Sequence, residues 1–465
     1  MTKIPTGPSF VTLNGRAAVT PPIVAFYGDD LTGSTDTLSV LAGAGLAALL
    51  FLDVPTAAER DAAGRLDALG IAGTARAMSP AQMDRHLPAV FDALAASGAR
   101  LVHYKTCSTF DSSAAMGSIG HALALARPRF RRDLVPVVVG QPGIGRFCVF
   151  GTLFATATAG GPVHRLDRHP TMARHPVTPM HEADLRLVLA QQGVSHVALV
   201  DLRSLGSADA ARTALAAVLR EAPEAVLFDV ADENSLRAIG GALAAALAAG
   251  GQMFAIGSSG LQQALLAGWD ELAARGSSRQ PAEPAPRAEP VLILSGSRSP
   301  VTAAQIEAAG RAGFALVALD PEHLATPGLV AAGMMQLATA AARQLATGRS
   351  VVAYTSLGPD DPRSLPDASP EARERLAHST GLLAREVLAQ VPSCRLGIAG
   401  GDTSGIAARA LGVRALQFDF QLAPGVPVCR VRASGAGLDG LQIMLKGGQM
   451  GPADMFLRFA AGVPS

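Results

Sequence analysis

Lysine is nearly absent from this 465-residue chain: Lys3, Lys105 and Lys446 are the only three among 39 basic residues. Arginine, a planar fork, has taken almost every basic position, so Lys105 and Lys446, both inside Gly/Ser/Thr-rich segments, mark places that call for a compact point charge. An excess of charge of either sign is lacking too. The 38 acidic residues leave a formal net charge of +1, which gives no general attraction to nucleic acid or to an anionic membrane, and neither is expected as a partner. Cysteine is scarce: Cys107, Cys148, Cys394 and Cys429 are too scattered for a disulfide framework or a CxxC metal site, which suits a reducing cytoplasm. No apolar run reaches the roughly 18 residues of a membrane span, and Met1 to Val19 has no apolar signal core. What is present is 49% hydrophobic residues against 17% charged, enough to exclude disorder and to fill two or three domain cores.

The clearest seam is GSSRQPAEPAPRAEP, Gly276 to Pro290, where prolines alternate with small and charged residues and no hydrophobic period survives. It divides the chain into an N-terminal domain (1–275), a Pro-rich linker (276–290) and a C-terminal domain (291–465). Before the seam, β-branched apolar runs alternate with Ala/Leu helical stretches. Ile23 to Tyr27 leads into GDDLTG and a helix over Thr35 to Ala47; Leu101 to Tyr104 leads into KTCSTFDSS and a helix through Ala126; Val135 to Val139 leads into a Gly/Pro loop. Val197 to Asp201 and Ala225 to Asp229 continue the alternation, and Val291 to Leu294, Val351 to Thr355, Arg395 to Ala399 and Val426 to Val431 resume it after the linker. Strands alternating with helices predict right-handed βαβ units, hence two α/β domains with mostly parallel sheets.

In such sheets ligands bind beyond the carboxyl ends of the strands, where loops meet helix N-termini. The first such loop carries Asp29 and Asp30. A helix cap needs one aspartate; a pair can hold magnesium, bind sugar hydroxyls or take a proton from one. The second carries Lys105 with Ser108, Thr109 and Ser112, a cation and hydroxyls suited to a carboxylate or polyol. Cys107, beside them, has no base in the sequence to activate it and reads as an ordinary small residue. Arg76, after the apolar Gly70 to Ala72, is a further anion-binding candidate. His164, His169, His175 and His181 have irregular spacings with prolines between, which points away from metal and toward a long loop covering or completing a site, with a helix from about His181 to Leu189.

The C-terminal domain has three glycine- and serine-rich turns, Ser295 to Ser299, Gly400 to Gly405 and Lys446 to Gly451. Consecutive glycines admit phosphate oxygens to the backbone, so three converging turns make a nucleotide site. There is no GxxxxGK[ST], and no GxGxxG follows an early strand. Neither a Walker ATPase nor a standard dinucleotide dehydrogenase is indicated, and a nicotinamide-dependent oxidoreductase is a rival reading disfavoured by the missing dinucleotide fingerprint.

Taken in order, GDDLTGSTDT, the Lys-x-x-Ser-Thr segment, HPVTPMHEADL, SGSRSPVTAAQI, GGDTSG and the final KGG resemble the four-carbon acid sugar kinase family from about Ile23 to Phe456. The resemblance implies an ATP-dependent kinase of threonate, erythronate or 3-oxo-tetronate type. It also implies an N-terminal domain that binds the sugar acid, a C-terminal domain that binds the nucleotide, and a reaction in the cleft between them. Carried over by position, Asp29 and Asp30 lie at the sugar as binding and catalytic residues, Arg76 matches the arginine of a Ser-Arg pair whose serine is Ala75 here, and Lys105, Ser108 and Thr109 match the substrate loop. Ser297, Ser299, Gly400, Gly401, Asp402, Thr403, Ser404 and Gly447 match the nucleotide turns. The implied chemistry is transfer of the γ-phosphoryl group of ATP, bridged by Mg2+, to a terminal hydroxyl. Lys105 or Arg76 would pair the carboxylate, and one of the two aspartates would orient or deprotonate the hydroxyl. The sequence assigns no metal ligand, and leaves the oligomeric state open, a homodimer included.

The substrate loop departs from the Lys-Lys-x-Asp-Ser-Thr-x-Arg-Gly of many relatives. One residue is missing before Ser108, Cys107 replaces the aspartate, and Asp111 and Ser112 stand at the arginine and glycine. That charge reversal beside the acid keeps 3-oxo-isoapionate, the branched substrate of a related branch, as the alternative. A non-catalytic sugar-acid or nucleotide sensor on the same domains is the rival of another class; the aspartate pair argues against it, since a sensor needs no base.

Overall fold

The computed structural model describes residues 20–130, 133–157, 160–174, 178–276, 290–326, 330–363, 369–391, 394–434 and 437–462. The N-terminal half contributes β1 (Val24–Gly28), β2 (Ala48–Phe51), β3 (Ala68–Ala72), β4 (Leu101–Lys105), β5 (Pro136–Val138), β6 (Arg146–Val149), β7 (Thr152–Thr156), β8 (Val163–Arg165), β9 (Val197–Val200), β10 (Ala225–Phe228) and β11 (Met253–Gly257). The C-terminal half contributes β12 (Val291–Ser295), β13 (Ala315–Ala318), β14 (Val351–Tyr354), β15 (Arg395–Ala399), β16 (Ala415–Ala423), β17 (Val426–Arg432) and β18 (Gln442–Lys446). Residues 277–289 of the expected linker lie outside the described residues.

Fifteen strands form one sheet in the order β13-β14-β12-β15-β18-β17-β16-β2-β3-β1-β4-β11-β5-β10-β9. Two parallel blocks, β13 to β18 and β2 to β9 in that order, are joined by the antiparallel β16–β17 hairpin, whose first residues pair with β2 (Ala415 with Phe51, Leu416 with Leu50). Apolar strands such as VLILS and RLGIA are buried along their whole length, as parallel strands covered on both faces must be. No described helix is long and apolar enough to cross a membrane.

The first helix runs from Leu31 to Gly43, four residues ahead of the expected start, because Asp30 caps it by accepting the Gly33 N–H at 3.0 Å. Its buried Leu31, Leu38 and Leu41 join one core with Ala407, Leu411, Leu416, Val431 and Ile443 of the other half. Arg409, on the helix Gly401–Leu411, adds a polar tie: it donates to the carbonyls of Leu52 and Ala72, just past or at the ends of β2 and β3. Two expectations need correction. The segment after Val139 is not only a Gly/Pro loop, since β6, β7 and β8 form a separate antiparallel sheet there. The helix expected from about His181 begins at Leu185, where Asp184 supplies the cap by accepting the Arg186 N–H at 2.9 Å.

Candidate functional site

Three neighbouring parallel strands deliver the first cluster. At the end of β1 the Asp29 N–H donates to the Lys105 carbonyl at the end of β4 (2.9 Å), and the Arg76 N–H, beyond β3, donates to the Asp29 carbonyl (3.1 Å). These bonds fix the side chains' starting points. The Arg76 guanidinium then spans both carboxylates, with Nη2 2.7 Å from Asp29 Oδ1 and 2.8 Å from Asp30 Oδ1, and Nε 3.3 Å from Asp29 Oδ2. Burial pushes the Asp29 carboxyl up to about 6; Arg76 opposes that rise and the Asp30 charge adds to it. Lys105 is buried, and its Nζ lies close to Asp30: a Cβ at Gly33 would stand 2.6 Å from Lys105 Nζ and 2.5 Å from Asp30 Oδ1. Any larger residue at position 33 would displace one of the two charges.

The loop after β4 folds on itself. Thr109 Oγ1 lies 2.7 Å from Asp111 Oδ1 and 2.9 Å from Cys107 Sγ, and Gln192 Nε2 donates to Ser112 Oγ at 2.8 Å. Ser108 is half-buried at the bend. Burial, reinforced by Asp111, pushes the Cys107 thiol up to about 11, so it is protonated at neutral pH and a poor nucleophile.

Sequence reasoning passed over Arg146 on β6. Its Nη1 donates to the carbonyls of Ile144 (3.0 Å) and Thr156 (3.1 Å), its Nε is buried without a partner among the described residues, and it lies within electrostatic reach of Cys107. Burial lowers its pKa, and no carboxylate among the described residues pairs with it. The available signal was a Gly-Arg pair beyond a strand end, Gly145-Arg146, hidden inside what reads as a turn.

The second cluster lies beyond β12, β15 and β18. Ser297 Oγ accepts from the Ser299 N–H (3.2 Å), and Ser299 Oγ accepts from the Val301 N–H (3.2 Å), capping the helix Pro300–Arg311. The Gly400 N–H donates to the Lys446 carbonyl (3.0 Å), and the Ser404 N–H to that of Gly400 (3.1 Å). Gly401, Asp402 and Thr403 begin the helix after β15, and their side chains lie outside the described residues. A Cβ at Gly448 would stand 2.6 Å from Ser297 Oγ, so the first and third turns are in contact.

The two clusters meet at the start of the first helix. A Cβ at Gly447 would stand 3.7 Å from Thr32 Cγ2, and one at Gly405 3.5 Å from Leu31 Cβ. The structure therefore gathers Asp29, Asp30, Arg76 and Lys105 into one group with the Thr109 loop beside it, and Ser297, Ser299, Gly400 and Gly447 into another, with Leu31 and Thr32 between. A cavity of about 1160 Å³ also lies between the halves, but it opens between Leu46, Phe51, Gln417 and Phe418, and none of these candidate residues lines it.

A family described as a sugar-binding N-terminal domain matches residues 24–265, and one described as a nucleotide-binding C-terminal domain matches residues 292–456. The chain is 41% identical to a 3-oxo-isoapionate kinase of Paraburkholderia graminis, over 95% of this chain and 96% of that one. It is 32% identical to a 3-oxo-tetronate kinase of Methylobacterium radiotolerans, over 92% and 96%. A crystal structure of a Salmonella typhimurium LT2 protein shares the fold with a TM-score of 0.77 at 24% identity, covering 94% of this chain and 98% of that one.

Proposed function

The chain belongs to the four-carbon acid sugar kinase family, and within the sugar-acid kinase activity of that family we propose 3-oxo-isoapionate as the acid it phosphorylates, with ATP as donor. The seam at Leu31 and Thr32 carries the reading. It sets an aspartate, a lysine and an arginine against glycine turns, which is the juxtaposition that in-line phosphoryl transfer between two bound substrates requires. The 41% identity to the 3-oxo-isoapionate kinase, against 32% to a 3-oxo-tetronate kinase, supports the substrate, as does Asp111, at the position where the family resemblance leads one to expect arginine.

We assign the attacking hydroxyl to Asp30. One of its oxygens takes both the Gly33 N–H and Arg76, which leaves the other for the substrate proton. Asp29 faces Arg76 with both oxygens and acts as the anchor of that arginine. Since Arg76 is already held between two carboxylates, the charge for the substrate carboxylate comes from Lys105 and Arg146, with Ser108 and Thr109 as hydroxyl partners. The turns at Ser297, Gly400 and Gly447 face the phosphates. Magnesium would arrive with ATP, held mainly by phosphate oxygens, and would neutralise charge developing during transfer. The chain's free cysteines fit a cytoplasmic location.

Coupled ADP release tests this with 3-oxo-isoapionate, 3-oxo-tetronate, threonate and erythronate in parallel. The expected result is a kcat/KM for 3-oxo-isoapionate at least about tenfold above the rest, the discrimination that one well-placed polar contact gives. A preference for 3-oxo-tetronate would reassign the substrate, and no turnover of any acid would end the kinase reading.

A further inference from the structure

Lys446 is wholly buried, yet no carboxylate of the described residues pairs with it. Its Nζ donates instead to Thr302 Oγ1 (3.0 Å) and the Gly447 carbonyl (2.9 Å), with the Gly448 carbonyl at 3.5 Å. Thr302, equally buried, donates to the Gly448 carbonyl at 2.8 Å. One turn along the same helix, Gln305 Nε2 donates to the carbonyls of Met450 (3.1 Å), Gly451 (3.2 Å) and Pro452 (2.9 Å). Four carbonyls of one loop are thereby drawn onto the helix Pro300–Arg311, and a fifth, that of Gly447, onto Lys446 Nζ beside it.

A trans peptide is planar, so a carbonyl turned inward sends the next N–H outward. The amides of Gly448, Gln449 and Gly451 therefore point away from that helix, and none has an acceptor among the described residues. Successive free amides on one side of a glycine-rich loop form an anion-binding concavity. This one lies against Ser297 and beside Thr32.

Resting on the kinase reading above, we propose that the amides of Gly448, Gln449 and Gly451 bind the phosphate chain of the nucleotide, and that Lys446 is the positioning residue that holds them open and supplies the buried positive charge behind them. Thr302 and Gln305 complete the support. The arrangement explains why lysine survives here in a chain that otherwise uses arginine: a guanidinium fork would not fit beneath two adjacent carbonyls. Burial alone lowers the pKa of Lys446, to about 7; its partner across the sheet is Ala399, and Thr302 and the glycine carbonyls are neutral. The anionic phosphates favour the protonated amine, so ATP affinity should fall as pH rises through 7. A lysine variant separates this titration from that of any other group.

Calorimetric titration of the full chain with ATP, without sugar acid, tests the proposal even if no acid is turned over. The wild type is expected to lose about tenfold in ATP affinity between pH 6.5 and 8.5. Lys446→Met should bind ATP about tenfold or more weakly at pH 6.5 and lose most of the pH slope, while keeping its thermal midpoint, because a buried amine is exchanged for an apolar chain of similar length. Thr302→Val, which keeps the lysine, should weaken ATP with the slope intact. Lys446→Met binding ATP as the wild type does, or keeping the wild-type slope, overturns the proposal. If that variant fails to fold, a wild-type affinity flat across pH 6.5 to 8.5, or unchanged ATP binding in Thr302→Val, overturns it.

Discussion

Asp29 has a measurable consequence for stability. In the unfolded chain its carboxyl titrates near the ordinary aspartate value, about 3.9, whereas burial in the fold pushes it up to about 6 despite Arg76. The folded state thus holds a proton that the unfolded state releases, so this group's contribution falls as pH rises from about 4 to about 6 and stays low above that. A difference of about two pKa units amounts to roughly 3 kcal/mol across the window, an order-of-magnitude figure for one residue of a buried, interacting pair. Asp29→Asn removes the titration but leaves an oxygen to accept from Arg76, whose second partner, Asp30, remains 2.8 Å away. Thermal midpoints of variant and wild type in matched buffers at pH 4.5, 6 and 8 cancel every group the two share. Relative to wild type, the variant should gain stability between pH 4.5 and 8, most of it before pH 7. A difference that stays constant with pH, or moves against the variant, would falsify the assignment of the raised carboxyl to Asp29.

Asp30→Asn should lower kcat by about 10²-fold or more with a modest change in KM for the acid, the size of a lost general base; a near-normal kcat moves that role to Asp29 or to neither. Lys105→Met and Arg146→Met should each chiefly raise KM for the acid, because a carboxylate contact is the same in ground and transition states; an unchanged KM in the Arg146 variant would leave that arginine as a clasp for its own sheet. Gly448→Ala drives a Cβ to 2.6 Å from Ser297 Oγ and should raise KM for ATP more than KM for the acid; equal effects on both would separate that turn from the nucleotide.

The strand-end loops were legible because they combine two local signals, a buried apolar run and a change of residue type at its end. GDDLTG after VAFYG and SGSRS after VLILS show both, and the structure puts each where a parallel sheet binds ligands. Other parts left no local mark. The sequence gives no sign that Arg76 will be shared between Asp29 and Asp30, since β3 and β4 become neighbours of β1 only through long-range pairing. The β6–β8 sheet was hidden because its short strands sit among glycines and prolines, where alternation is too brief to register.

Lys446 shows how composition can reveal what periodicity does not. Its rarity singled it out, and its neighbours placed it on a glycine turn, but a lysine beside GlyGly reads most directly as a side chain reaching for phosphate. The fold turns it the other way, under the loop, where three acceptors occupy its three protons. The distinction has consequences at pH 8. A lysine reaching into solvent stays charged there and leaves ATP affinity flat, whereas one enclosed beneath the loop gives up its proton near 7 and carries the affinity down with it. Burial lowers the Lys446 amine to about 7 with no carboxylate among the described residues paired to it, so the nucleotide half-site should impose the alkaline limit on the reaction. Saturating ATP at pH 8.5 should therefore restore turnover that saturating acid does not, and the reverse result would place the alkaline-sensitive group on the sugar side.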